Sequence, residues 1–171
     1  AYTALLFLPK QRTHELFDPT AHRSKLALYI KRVQVQAECE ELLPPWLRFA
    51  RGLVDSDDLP INISRETLQH NRQVGQINKR LVKKVLDTLE KRLAKDRKGY
   101  EEFWRSFGPV IKEGLYADEE HRESIADVCL FACTVQEELT TLDEYVARMP
   151  SDQEAIYWIS GPDRVALEAS P

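Results

Sequence analysis

The chain opens on an unbroken apolar run, Tyr2-Thr3-Ala4-Leu5-Leu6-Phe7-Leu8, closed by Pro9. A continuous β-prone run of this kind belongs to a strand covered on both faces, so it predicts a central strand. Residues 10–25 are polar, with Asp18-Pro19 as a breaker and Leu16-Phe17 as an anchor, and predict a loop with at most a short helical turn. Over residues 26–36 apolar and polar positions alternate, but the apolar phase moves from even to odd positions after Ile30. A bulge, or a change of covering face, near Lys31-Arg32 accounts for the shift. Residues 39–43 and 45–50 read as two short helical turns. They put Trp46, Phe49 and Ala50 on one face, which packs inward as a cap over the sheet rather than serving as an exposed binding patch.

The period then lengthens. Residues 74–95 predict the longest helix, with Ile77, Leu81, Val85, Leu89 and Leu93 on one stripe and Val82 and Leu86 widening it. Its other face carries Lys79, Arg80, Lys83, Lys84, Lys91 and Arg92, read as a solvated surface. Gly99 and Gly114 bracket a second helix in which Tyr100, Phe103, Trp104, Phe107 and Ile111 recur at helical steps, broken or kinked at Gly108-Pro109. A third helix is expected over residues 119–132, with Ile125, Val128, Cys129 and Ala132 inward. Thr141-Leu142-Asp143-Glu144 has the capping-box form and opens a short helix through Arg148. Residues 155–160, Ala-Ile-Tyr-Trp-Ile-Ser, read as a buried strand, and Gly161-Pro162 turns into a last helix begun by Asp163.

Together these elements predict an α/β chain. A larger α-β-α lobe spans residues 1–96, a helical connector residues 97–134, and a smaller α-β-α lobe residues 135–171. The first strand begins without any lead-in and the last helix ends abruptly, so the sequence reads as an excised fragment of a longer protein.

Composition narrows the partners. With 171 residues, 43% hydrophobic and 30% charged, the chain can bury a real core. Its net charge of −4 gives no general attraction to nucleic acid or to an anionic membrane. The basic face of the long helix does not change this, since it lacks interleaved aromatics and is interrupted by Asp87 and Glu90. No apolar run approaches the ~18 residues that span a bilayer, and no signal peptide opens the chain. The three cysteines, Cys39, Cys129 and Cys133, read as reduced thiols, which together with the missing signal peptide points to the cytoplasm. The four histidines are scattered and no Cys-x-x-Cys spacing occurs, so no metal site is expected.

Chemistry concentrates in residues 55–72. Asp57-Asp58 before Leu59-Pro60 forms a turn, Ser64 is a good N-cap, and Glu66 suits the positive end of the helix that follows. Arg65 therefore begins a helix, with Gln69 four residues on and on the same face. A guanidinium beside a helix N-terminus suits a phosphate. The plainer alternative is a surface arginine at a helix start. No glycine-rich phosphate loop, nucleophile elbow or His-Glu-x-x-His is present, and Asp55, Asp57 and Asp58 read as a hydrated acidic turn.

The words around Arg65 add a resemblance. Residues 47–66, Leu-Arg-Phe-Ala-Arg-Gly-Leu-Val-Asp-Ser-Asp-Asp-Leu-Pro-Ile-Asn-Ile-Ser-Arg-Glu, closely resemble the middle domain of the ninety-kilodalton heat-shock chaperones, bacterial HtpG type. The likeness continues through Glu40-Glu41-Leu42-Leu43-Pro44, Leu68-Gln69-His70-Asn71, Phe103-Trp104-Arg105-Ser106-Phe107-Gly108, Lys112-Glu113-Gly114, Asp143-Glu144-Tyr145-Val146-Ala147-Arg148-Met149 and Ile156-Tyr157-Trp158-Ile159, covering nearly the whole chain. It departs at Gln34 and Gln36, where relatives carry bulkier apolar residues, and at His70, where they often carry an amide.

The resemblance implies one half of a composite ATPase. ATP, with Mg, would be held by an N-terminal domain outside this chain, and an arginine of the middle domain would reach the γ-phosphate on closure. By motif position that arginine is Arg65, with Gln69 as the second catalytic contact and Asn71 as a further nucleotide contact. The fragment alone would be inactive. Its partners would be its own N-terminal ATPase domain, client proteins and a C-terminal dimerisation domain, with no nucleic acid and no membrane. The alternative is an interaction platform for clients or co-chaperones with no catalytic part, in which Phe103, Trp104, Phe107, Tyr157 and Trp158 would be the contact residues if exposed.

Overall fold

The computed structural model describes residues 1–10, 25–60, 65–69, 71–161 and 163–168, with the backbone alone at 65 and 66. The loop expected at 10–25 falls almost entirely outside the described residues. Strand β1 (Tyr2–Phe7), β2 (Lys25–Ile30), β3 (Val33–Gln36) and β4 (Arg51–Ser56) form a sheet in the order β1-β4-β2-β3. β4 runs antiparallel to β1 and parallel to β2, and β3 folds back antiparallel on β2.

One face of this sheet is core. Leu26, Leu28 and Ile30 of β2 and Val54 and Ser56 of β4 alternate inward and are buried. Two 3₁₀ turns, Glu40–Leu42 and Pro45–Leu47, carry Leu42, Trp46 and Leu47 under it, and Phe49 and Ala50 follow, all buried; Trp46, Phe49 and Ala50 are the three that the spacing predicts. Gly52 of β4 has φ +144°, and a Cβ there would stand 1.9 Å from the Leu5 carbonyl oxygen, so only glycine lets β1 and β4 close together.

Two strand readings are corrected. β1 is an edge strand, not a central one, and Leu5 and Phe7 are more than half exposed, because among the described residues only β4 pairs with it. The phase change after Ile30 is a hairpin turn rather than a bulge in one strand. Lys31 (φ 50°) and Arg32 (φ 66°) both adopt left-handed backbone between paired Ile30 and Val33, as a tight two-residue hairpin demands. The Lys31 amide donates to the Ser56 carbonyl at 3.1 Å and the Arg32 amide to the Asp55 carboxylate at 3.1 Å, which offsets the cost of two non-glycine residues there. A true register shift also occurs, earlier, at Leu28/Tyr29.

Helix α1 (Arg65–Gln69) leads into α2 (Arg72–Lys95). The α2 stripe is as predicted: Ile77, Leu81, Val82, Val85, Leu86 and Leu89 are buried and Leu93 is partly so, and Val74 joins them at the start of the helix. Each such side chain contributes about 1.5–3 kcal/mol by leaving water. On the basic face Arg92 is an exception to the solvated reading. Its guanidinium lies 5.1 Å from the Phe103 ring centre and donates to the Gly99 carbonyl at 3.0 Å.

Helix α3 (Arg97–Ala117) runs through Pro109 as one element, so the helix is not broken there. Tyr100, Phe103, Trp104, Phe107 and Ile111 form its buried face, and the rings of Phe103 and Phe107 meet Phe49 at centroid distances of 5.7 and 4.8 Å. Gly114 lets α3 approach Trp46 and Ile125, since a Cβ there would fall within 2.8 Å of the indole and 2.9 Å of the isoleucine.

The third helix is shorter than expected. α4 (Arg122–Asp127) keeps Ile125 inward, but the chain then leaves the helix and forms a hairpin of β5 (Phe131–Cys133) and β6 (Gln136–Thr140). Val128 and Cys129 are buried as read, whereas Ala132 is exposed on β5. α5 (Leu142–Ala147) has the predicted capping box, with the Glu144 amide donating to Thr141 Oγ1 and the Thr141 amide to Glu144 Oε2. The strand expected at 155–160 does not form: those residues pair with no described strand, and Tyr157, Trp158 and Ile159 are exposed. A short α6 (Arg164–Glu168) follows, with Asp163 accepting from the amides of Val165 and Ala166.

Candidate functional site

The site predicted from sequence lies where β4 hands over to α1 and α2. Ser56, the last residue of β4, is buried, Asp57 and Asp58 are exposed in the bend that follows, and Leu59 returns to the core at 2% exposure. The acidic turn is thus a surface feature, with Asp58 paired to the Ala1 amino group and Asp55 used locally to hold the β2–β3 turn. Residues 61–64, including the expected N-cap Ser64, lie outside the described residues, as does His70.

Arg65 is the first residue of α1, and its side chain lies outside the described set. Gln69 follows one turn later and is exposed, while Leu68 between them is buried at 1% exposure. α1 is therefore a single turn pinned by one apolar side chain.

Asn71 holds the junction. Its Oδ1 accepts from the Gln73 amide at 2.8 Å and the Val74 amide at 3.2 Å, capping α2. Its own amide donates to the Leu68 carbonyl at 3.1 Å, and its carbonyl accepts from the Gly75 amide at 3.0 Å. The structure thus brings Arg65, Gln69 and Asn71 into one short segment and gives the Asn71 carbonyl oxygen a structural task that sequence reasoning had not assigned. The Asn71 spacing to the apolar run of α2 is the signal that could have shown it.

Other polar arrangements were not foreseen. Arg48, only 8% exposed, forms a two-point ion pair with Glu113, at 2.6 and 2.9 Å, joining a 3₁₀ turn to α3. Arg97 at the start of α3 donates to both carboxylate oxygens of Glu144, at 3.1 and 3.0 Å, and to the Leu139 carbonyl at 2.6 Å, tying α3 to the hairpin and to α5. A groove of about 410 Å³ lies between α2 and α4, lined by Lys79, Arg80 and Lys83 and by Asp87, Glu90, Glu120 and Asp127, with Lys79 paired to Glu120 at 2.7 Å. Its mixed charge singles out no ligand.

Thiol environments differ sharply. Burial pushes Cys39 and Cys129 up to about 12, so both stay protonated. Cys133, half-exposed on β5, is held below the usual thiol value by the Val135 amide and the Arg148 guanidinium. Among the described residues no group of three or more His, Cys, Asp or Glu could hold a metal ion, and no helix is long and apolar enough to cross a membrane.

Comparison with known proteins agrees with the motifs. Residues 1–171 match the family described as Hsp90 protein. The chain is 49% identical over 171 residues to the chaperone protein HtpG of Paramagnetospirillum magneticum and 51% identical over 172 residues to that of Nocardia farcinica. Both matches take in 99% of this chain but only 27% and 26% of the relatives, so the chain spans about a quarter of their length. Among solved structures, the middle domain of a Plasmodium falciparum protein described as a heat shock protein superposes with a TM-score of 0.81 at 30% identity, covering 95% of this chain and 63% of that one. The fold is thus that of an Hsp90 middle domain, and this chain belongs to the Hsp90 family.

Proposed function

We propose that this chain is the middle-domain portion of an ATP-dependent chaperone and that Arg65 completes an ATPase site housed in the N-terminal domain of the parent polypeptide. ATP and Mg are held by that domain, Arg65 meets the γ-phosphate when the domains close, Gln69 supplies the second contact, and Asn71 lies within the same segment. Charge spreads over the phosphoryl group as it transfers, and a placed guanidinium stabilises it. Arginine fingers of this type contribute about 10³ to 10⁵ in rate. Lysine lacks the planar fork and replaces it poorly.

The observation that carries this reading is the mounting of α1. A one-turn helix anchored in the core by Leu68 and joined to α2 through Asn71 places its first residue, Arg65, at the end of a well-packed scaffold. Such a support is what a residue needs to act at a neighbouring domain. In the intact polypeptide, Arg65→Ala is expected to leave nucleotide affinity within about twofold while lowering kcat by at least about 10². Hydrolysis at the parental rate would end the proposal.

A second reading, client binding, has one specific observation behind it: Tyr157 and Trp158 are 76% and 82% exposed. The other aromatic candidates, Phe103, Trp104 and Phe107, are in the core and do not serve it. The same proposal makes the working protein a cytoplasmic dimer, joined through a C-terminal domain of the parent polypeptide. Suppression of client aggregation by a Trp158→Ala variant, measured beside its ATPase rate, separates the two readings, because the platform reading loses the first and keeps the second.

A further inference from the structure

Asn71, two residues past α1, is tied to backbone on both sides. Its Oδ1 accepts from the Gln73 and Val74 amides at 2.8 and 3.2 Å, and its main-chain amide donates to the Leu68 carbonyl at 3.1 Å. With two N–H donors on it, the oxygen has its lone pairs taken up inside the chain. Leu68 and Val74, three residues to either side, are both buried, so the bonds of Asn71 bridge two core anchors. The first turn of α2 carries no acidic side chain and opens on Arg72, which leaves Asn71 to meet the positive end of this 24-residue helix.

An open helix N-terminus close to Arg65 would itself attract a phosphate. Here two of its amides are already bonded to Oδ1, and the part of the side chain left for any other contact is the Nδ2 group. Two roles for Asn71 are therefore chemically separable. A cap uses the oxygen, which serine and aspartate also supply. A nucleotide contact uses the Nδ2–H donors, which neither serine, on its shorter stem, nor aspartate reproduces.

We infer that Asn71 is a positioning residue of the ATPase site proposed above: its side-chain oxygen fixes the start of α2, its amide carries that fixed point back to Leu68, and the placement of Arg65 on α1 follows. The inference rests on the Arg65 reading and goes beyond it by giving Asn71 no contact with nucleotide. Without the cap, the Gln73 and Val74 amides lose their protein acceptor, the first turn of α2 frays, and α1 is left on its single apolar anchor. Nucleotide, held by another domain, stays bound. What falls is the fraction of closures that bring Arg65 into place.

The test is made in the intact polypeptide that contains this chain, with ATP turnover, nucleotide affinity and hydrogen exchange over residues 73–77 measured on each variant. Asn71→Ala is expected to lower kcat about fivefold, the size of a lost N-cap, with nucleotide affinity within about twofold and first-turn exchange raised by a similar factor. Asn71→Ser and Asn71→Asp, which put back a capping oxygen, should recover at least about half of that loss in kcat and in exchange protection. Added to Arg65→Ala, Asn71→Ala should change the remaining rate by less than about twofold, because it acts through that arginine. Asn71→Ser and Asn71→Asp both as slow as Asn71→Ala would overturn the inference, since the donor and not the oxygen would then matter. So would a full fivefold loss from Asn71→Ala on top of Arg65→Ala, or a fall in kcat with first-turn exchange unchanged. Arg65→Ala turning over at the parental rate would end the ATPase reading and this inference with it, so that single variant tells the two failures apart.

Discussion

Two aromatic stretches of this chain meet opposite fates. Tyr100, Phe103, Trp104 and Phe107 of α3 are buried, while Tyr157, Trp158 and Ile159 near the C-terminal end face solvent. Their apolarity is similar, so composition does not explain the difference. The α3 residues recur at helical spacing, so forming the helix already gathers them on one face, ready for Phe49 and the α2 stripe. Residues 155–160 form no such face. A short extended segment is completed only by neighbours that pair with its backbone and cover it, and the described residues supply none. A helix carries its packing instruction within itself, whereas a strand needs partners from elsewhere in the chain.

The largest expected effect tests that contrast directly. Phe103→Ala should cost about 3–5 kcal/mol in urea unfolding, as for other buried aromatics. Trp158→Ala in the same chain should stay within about 0.5 kcal/mol, as for an exposed side chain. A loss above about 2 kcal/mol at Trp158 would mean that its ring is packed in solution, and the contrast would collapse.

Ion pairs give a smaller version of the same comparison. Glu113→Ala strands the Arg48 guanidinium, whose side chain is 9% exposed, beside α3, and should cost about 2 kcal/mol, below the fully buried case because Glu113 itself is half open to water. Glu168→Ala, which removes the exposed Arg164–Glu168 pair of α6, should leave the unfolding midpoint where it is. Equal losses from the two would show that position in the fold does not set the worth of these pairs.

The smallest effect is a pH response at α5. Burial works against the Glu144 carboxylate, but the Thr141 amide and the Arg97 guanidinium outweigh it and hold its pKa below the ordinary glutamate value. A depressed folded-state pKa means the stabilisation is present above the unfolded value, about 4.3, and is lost as pH falls through the folded value. Exchange of the α5 amides should therefore rise as the pH drops below about 4 in the parent, and in Glu144→Gln it should show no such step. A step that survives in Glu144→Gln would assign the response to another group.

Much of the helical architecture was legible in the sequence, because a long repeat averages over local accidents. The α2 stripe, the inward aromatics of α3 and the Thr141–Glu144 cap follow from spacing alone. Short β elements were harder. The Lys31-Arg32 turn has no Gly or Asn to announce left-handed backbone, so its signature was a phase change that a bulge explains equally well. Phe131-Ala132-Cys133 is three residues long, too short for an alternation to separate it from the end of a helix. β1 read as central because its apolar run says nothing about how many neighbours pair with it. At the candidate site the order of Arg65, Gln69 and Asn71 was visible, but the capping task of Asn71 required the backbone geometry of the α1–α2 junction.

That junction makes a lever. Asn71 binds backward to α1 and forward to α2, which couples the start of α1 to an arm of 24 residues. At about 1.5 Å per residue the arm is roughly 36 Å long, so a tilt of about 5° pivoted at its far end swings the start of α1 through about 3 Å. Angular play of that size near Lys95, next to the Arg97 clamp, displaces the start of α1 by a distance comparable to the length of a hydrogen bond.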